Sequence, residues 1–188
     1  MDRIIDAACT ALGELGLHSV TIGSVAERAK VSTALVHYHF DTKARLLVAA
    51  ARRMATERAE LRSRAVDSAR GLDALDALWS SVEEGARAGR VRGQLELALY
   101  SRADPDVASA LAEYRANELA GLVKRLPGLL RELGATAPVD VEELASAIHC
   151  QLDGLTLLLL AGQDAATVRA AYDAFWLTLI AAGQTRRR

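Results

Sequence analysis

Ser32-Thr33-Ala34-Leu35-Val36-His37-Tyr38-His39-Phe40-Asp41-Thr42-Lys43 decides how the rest of the chain is read. Ser32 is suited to capping a short helix, because its hydroxyl oxygen accepts an orphan backbone N–H of the first turn. Along that helix apolar anchors alternate with hydroxyl and imidazole groups. One face can therefore seat in a core while the other meets base edges and phosphates. The stretch reads as the second, recognition helix of a helix-turn-helix.

Upstream, Ile4, Ile5, Ala8, Ala11, Leu12 and Leu15 recur at helical spacing, and Gly16 stands where a left-handed residue would end the helix. Thr21 caps a second helix whose inward stripe is Ile22, Val25, Ala26 and Ala29, and Lys30-Val31 forms the turn. Phe40 plugs the bottom of this three-helix core. Downstream, Thr42 caps a fourth helix carrying Leu46, Leu47, Ala50 and Met54 to about Arg70-Gly71. A helix of that length outgrows a small domain and links it to the remainder.

Three prolines in 188 residues, with abundant Ala, Leu, Arg and Glu, indicate an all-α protein with a mostly aliphatic core. The expected division is a helix-turn-helix domain over 1–45 and a helical body over 46–188. In the body, Leu75, Leu78, Trp79, Val82 and Ala86 mark a fifth helix, and a shorter one lies around Gln94 to Ser101. Asp104-Pro105 is a strong helix start. The helix it opens is expected to kink or break at Pro127-Gly128. Val141 to Gly162 and Asp164 onward give two strongly apolar C-terminal helices, and Arg186-Arg187-Arg188 is expected to be a disordered tail.

The net charge of −1 gives no hint of a nucleic-acid partner, but its distribution does. Between residues 28 and 53, Arg28, Lys30, Lys43, Arg45, Arg52 and Arg53 are opposed only by Asp41. A local basic face is what a phosphate-binding module requires. Cys9 and Cys150 form no CxxC pair and fit reduced, packing cysteines of a cytoplasmic protein. The most apolar run, Leu155 to Ala161, falls short of the ~20 residues of a membrane span. No nucleophile elbow, phosphate-cradling glycine loop or metal-spaced cluster supports an enzyme, a metal site or a cofactor.

Taken together, Arg3-Ile4-Ile5-Asp6-Ala7-Ala8, Gly16, Thr21-Ile22-Gly23-Ser24-Val25-Ala26, Val31-Ser32 and His37 through Lys43 resemble the N-terminal domain of the TetR family of bacterial transcriptional regulators. The resemblance implies a homodimer of all-helical subunits, each with a DNA-binding head and an effector-binding body that dimerises through its last two helices. It places Thr33, Ala34 and Leu35 against bases and His37 where most members carry a phosphate-contacting tyrosine, with Tyr38 and His39 following. Lys43 matches the family's phosphate-contacting lysine, and Thr21, Gly23 and Ser24 at the start of the second helix complete the DNA-binding set. The resemblance further implies a repressor of a pseudo-palindromic double-stranded operator, acting in the cytoplasm on the nucleoid.

Three departures stand out: Lys30 replaces the usual turn glycine, almost no arm precedes the first helix, and imidazole at 37 is titratable. Phosphate affinity is therefore expected to strengthen on acidification. Trp79, Tyr100, Tyr114, Asn117, His149 and Asp153 place aromatic or polar groups on otherwise apolar middle helices. They are the candidate pocket for an apolar or amphipathic small-molecule effector. For each taken singly, structural core is the competing role, and His149 and Asp153 are also simply an i, i+4 pair. Leu155, Leu159, Tyr172, Phe175, Trp176 and Leu179 are the candidate dimer seam, shared with the subunit's own core. The alternative to a regulator is a helical small-molecule-binding or adaptor protein without specific DNA binding.

Overall fold

The computed structural model describes residues 1–67 and 69–185, so the triple-arginine tail lies outside the described residues. Among the described residues nine α-helices follow one another: α1 (Asp2–Leu15), α2 (Ile22–Ala29), α3 (Thr33–Phe40), α4 (Lys43–Asp67), α5 (Gly71–Arg87), α6 (Arg90–Tyr100), α7 (Pro105–Glu132), α8 (Val141–Leu160) and α9 (Ala165–Thr185). A single 3₁₀ turn, Leu17–Ser19, lies between α1 and α2, and no strand occurs among the described residues.

The helix starts are where the capping chemistry puts them. Thr21 Oγ1 accepts the Ser24 N–H at 3.0 Å while Ser24 Oγ accepts the Thr21 N–H at 2.9 Å, a closed capping box. Ser32 Oγ accepts from Leu35 N–H at 3.2 Å, and Thr42 Oγ1 from Arg45 N–H at 3.2 Å. Asp104, Asp140 and Asp164 cap α7, α8 and α9 in the same way.

Two helix details differ from expectation. Gly16 has φ 82° but ψ 170°, an extended conformation open essentially to glycine, and not the left-handed cap. A Cβ there would also lie 2.7 Å from Glu96 Oε1. Pro127 sits inside α7 without breaking it. Leu126, Leu129 and Leu130 are all buried around the proline, and that packing outweighs the one backbone hydrogen bond Pro127 cannot donate.

The helices form two compact units. The first comprises Met1–Ala59 with Arg87–Arg115, the second Glu60–Ala86 with the chain from Ala116 onward. α6 joins the first unit because α1 and α6 approach at two glycines, where a Cβ on Gly13 would lie 3.0 Å from the Gly89 carbonyl oxygen. The compact units are thus cut differently from the expected 1–45 and 46–188 division. In the first unit Ile4, Ala8, Leu12, Val25, Val36 and Phe40 close the three-helix core expected from their spacing, and Leu46, Leu47 and Met54 of α4 complete it. In the second, Leu78, Leu130, Ile148, Leu152 and Tyr172 form the centre. Cys9 belongs to the first core; burial pushes its thiol up to about 12, so it is inert packing. Cys150 is exposed, contrary to the packing role expected of it.

Lys30 is left-handed, with φ 54° and ψ 48°. That conformation costs a residue with a Cβ about 1–2 kcal/mol, and glycine's extra freedom in the unfolded chain offsets about 0.4–1 kcal/mol of the relief. Lys30→Gly is therefore expected to stabilise the first unit by about 1 kcal/mol. A thermal melt showing no rise, or a fall, would refute the strain at this turn.

Candidate nucleic-acid interface and effector site

The short helix α3 is held from beneath by Val36 and Phe40, both buried, so its remaining positions are turned outward. Thr33, Ala34, Leu35, His37, Tyr38 and His39 are all exposed. Tyr38 at 83% and Leu35 at 40% are large side chains left in solvent with no core to enter, as a base-reading surface requires. Gly23 is exposed at the start of α2, where a Cβ would meet only the Thr21 Oγ1 at 3.9 Å. Thr21 and Ser24 are committed to the capping box, and Ser24 Oγ also donates to the Ser19 carbonyl at 2.8 Å.

The basic run is less free than its residue count suggests. Arg28 pairs with Glu14 at 3.0 Å, Arg52 with Glu113 at 3.3 Å, and Arg53 with both Asp2 and Asp6. These acids come from elements remote in sequence, which a local charge count does not include. Lys43 is half-buried, its Nζ 3.4 Å from the Leu17 carbonyl, and an ammonium retains further donors for a phosphate. Lys30 is exposed, and Arg45 makes a 3.7 Å, solvent-exposed pair with Asp41.

In the second unit, α4, α7 and α8 bring together an ionic network. Arg62 bonds Glu118 through Nη1 and reaches Asp153 through Nη2 at 3.2 Å. His149 lies between the same two acids, Nδ1 at 3.2 Å from Glu118 Oε2 and Nε2 at 3.4 Å from Asp153 Oδ2. Arg62, Glu118 and His149 are buried, while the Asp153 side chain is 40% exposed and forms the open end of the network.

Of the six candidate pocket residues, His149 and Asp153 are brought together. Trp79 is core, its ring 5.4 Å from that of Tyr172, with the Arg169 guanidinium 5.6 Å over its face. Tyr100 and Tyr114 belong to the first unit, and Asn117 is exposed. Arg62 and Glu118 were missed, although both fall on apolar stripes. Arg62 continues Leu47, Ala51, Met54 and Arg58 along α4, and Glu118 continues Val107, Leu111 and Tyr114 along α7. A charge on an inward stripe was the available signal.

The seam candidates divide between the subunit core and its margin. Leu155, Tyr172, Trp176 and Leu179 are buried within the second unit, and Leu159 and Phe175 pack against that core. Tyr172 is tied in further by donating to the Leu75 carbonyl at 2.7 Å, and burial raises its phenol well above the usual tyrosine range. The uncovered face of the pair is the opposite one: Ala147, Gly154, Leu157 and Leu158 on α8, with Ala170, Ala174 and Leu177 on α9. Leu157 is 50% exposed and Leu177 68%. α8 is also long and apolar enough, by length and composition, to cross a membrane, which the shorter run read from sequence did not suggest. Its inner face nonetheless buries Leu144, Ile148, His149 and Leu152 against protein.

Residues 4–58 match the model of the bacterial regulatory proteins of the tetR family. The HTH-type transcriptional regulator BetI of Burkholderia thailandensis is 31% identical over 182 residues, covering 84% of this chain and 92% of the relative. A transcriptional regulator from Rhodococcus sp. RHA1 shares the fold with a TM-score of 0.79 at 24% identity, over 97% of each chain. A regulator from Saccharomonospora viridis, crystallised in complex with choline, does so with a TM-score of 0.71 at 18% identity, over 93% of each chain.

Proposed function

Because this chain belongs to the TetR family of bacterial transcriptional regulators, it is a DNA-binding, ligand-responsive regulator and not an enzyme, and we propose that it is a homodimeric, cytoplasmic repressor of a pseudo-palindromic operator. The observation that carries the DNA-binding assignment is the row of exposed side chains on α3, above a helix bottom anchored by Val36 and Phe40. In this reading Thr33, Ala34 and Leu35 face bases. His37, Tyr38, His39 and Lys43 hold the backbone, and the α2 start at Thr21, Gly23 and Ser24 approaches phosphate. Two recognition helices enter successive major grooves about 34–36 Å apart, and the promoter lies on the nucleoid.

The effector site of this reading is the open end of the ionic network. A molecule arriving there meets the Asp153 carboxylate first, with Glu118 beneath it. That favours a small organic cation with an apolar remainder, an amphipathic effector; the choline held by the Saccharomonospora viridis regulator is of this class. Binding at Asp153 draws on His149 and Arg62, and through Arg62 on α4, the helix that begins directly after the recognition element. A conformer preferred by the effector then carries lower operator affinity, by the ligand's differential affinity for the two states.

The test is selection of bound duplexes from a random pool, followed by affinity at several salt concentrations. A two-fold symmetric site with affinity falling steeply as salt rises is expected. Lys43→Ala should weaken binding to all sequences and flatten the salt slope, whereas Thr33→Ala should relax base preference at constant slope. No enriched site in a folded sample would overturn the reading, and identical behaviour of the two variants would overturn the division of contacts.

A further inference from the structure

The turn that ends the recognition helix is unusual. Asp41 has φ 56° and ψ −53°, and the Thr42 N–H bonds back to the Phe40 carbonyl. This is the γ-turn of the rare, strained form. With the chain turned this way, the Asp41 carbonyl oxygen lies 3.2 Å from His37 Nδ1. A carbonyl oxygen only accepts, so Nδ1 carries the proton of this bond. In the neutral ring the other nitrogen, Nε2, is then a bare lone pair.

A phosphate oxygen also only accepts. Neutral His37 in this tautomer therefore has nothing to give a phosphate, whereas the imidazolium presents an Nε2–H together with a positive charge. The opposite neutral tautomer would set the Nδ1 lone pair against the Asp41 carbonyl oxygen. We propose that operator binding is coupled to proton uptake at His37, through the hydrogen bond that the Asp41 turn imposes on its ring. The inference rests on the DNA-reading assignment above, and adds a regulating variable to it.

The neighbouring charges do not replace the proton. The Asp41 carboxylate is paired with Arg45 at 3.7 Å, and Lys43, whatever phosphate it holds, leaves the Nε2 of neutral His37 without a proton to donate. His39, the other imidazole of the helix, meets the Tyr38 ring edge-on with centroids 5.2 Å apart. Among the described residues the Asp41 carbonyl is the polar contact that His37 makes.

The sign follows from linkage. Protons bind the DNA-bound state more tightly than the free state, so affinity is highest at low pH and falls as pH rises. Uptake of one proton per protomer sets a ceiling of about tenfold in affinity per pH unit, or about 100-fold for a dimer on two half-sites. Operator affinity measured at pH 6 and pH 8, at constant ionic strength, is expected to differ at least tenfold for the unmodified protein. His37→Tyr supplies a donor that does not titrate in this range and is expected to flatten the profile while keeping binding. His39→Gln is expected to keep the slope, whatever it does to the affinity. Equal affinity at the two pH values, or a slope removed by His39→Gln and not by His37→Tyr, overturns this proposal alone. Failure of all three proteins to bind any selected duplex at either pH overturns the DNA-reading assignment as well.

Discussion

Glu118→Ala is expected to lower the melting temperature of the protein by about 10 °C. Glu118 is the buried acid that both Arg62 and His149 approach. Removing it leaves a guanidinium, itself only 7% exposed at its side chain, facing Asp153 alone. Breaking a buried pair from one side costs about 3–5 kcal/mol, because the remaining charge stays desolvated. In a chain of this size each kcal/mol corresponds to about 2–4 °C. Asp153→Asn is the contrasting variant. At the exposed end water replaces much of what the carboxylate supplied, so its stability cost is expected to stay below about 1 kcal/mol. Asp153→Asn should nevertheless lose any upward shift in melting temperature produced by choline or a tetraalkylammonium salt. If Glu118→Ala melts within 2–3 °C of the unmodified protein, on the order of 1 kcal/mol, the network is not the desolvated cluster described above. If Asp153→Asn keeps a ligand-induced shift, the effector enters elsewhere.

Leu177→Glu is expected to give a monomer and to weaken operator binding by about 10²- to 10⁴-fold. The residue is 68% exposed on the uncharged face that α8 and α9 leave uncovered, so the subunit's own core does not depend on it. A carboxylate there meets its symmetry mate or an apolar partner surface, and either is costly. Losing the second head removes the effective-concentration gain of two linked half-sites, which is the source of the stated factor. Sedimentation or light scattering reads the oligomeric state, and a half-site duplex separates the two effects. Its affinity should be unchanged, because each head is intact. A Leu177→Glu protein that stays dimeric would place the seam on another face. In that case Trp176→Ala offers no rescue of the original expectation, since Trp176 is 3% exposed and its loss would damage the core first.

Much of the head was legible in the chain itself. The caps Thr21, Ser32 and Thr42, the apolar stripe from Ile4 to Leu12 and the anchors Val36 and Phe40 act over a few residues, and such short-range chemistry has one solution. The strain at Lys30 was likewise legible, because a left-handed turn residue is a local requirement. The exposed set on α3 follows from the same periodicity.

What only the tertiary structure decided is which remote residues meet. Sequence assigned Trp79, Tyr100, Tyr114 and Asn117 to one pocket by residue type, whereas packing sent Trp79 to a core, Asn117 to solvent and the two tyrosines to the other unit. Arg62 and Glu118 are 56 residues apart, and no local pattern pairs them. The apolar surplus of α8 and α9 was visible from composition, but not which face is spent inside the subunit. That depends on where α5 and α7 lie, with Leu75 accepting from Tyr172 and Leu126, Leu129 and Leu130 completing the core. Capping and periodicity are settled within one or two helical turns, whereas burial is settled by whichever distant surface fits, and a side chain's role changes with that partner.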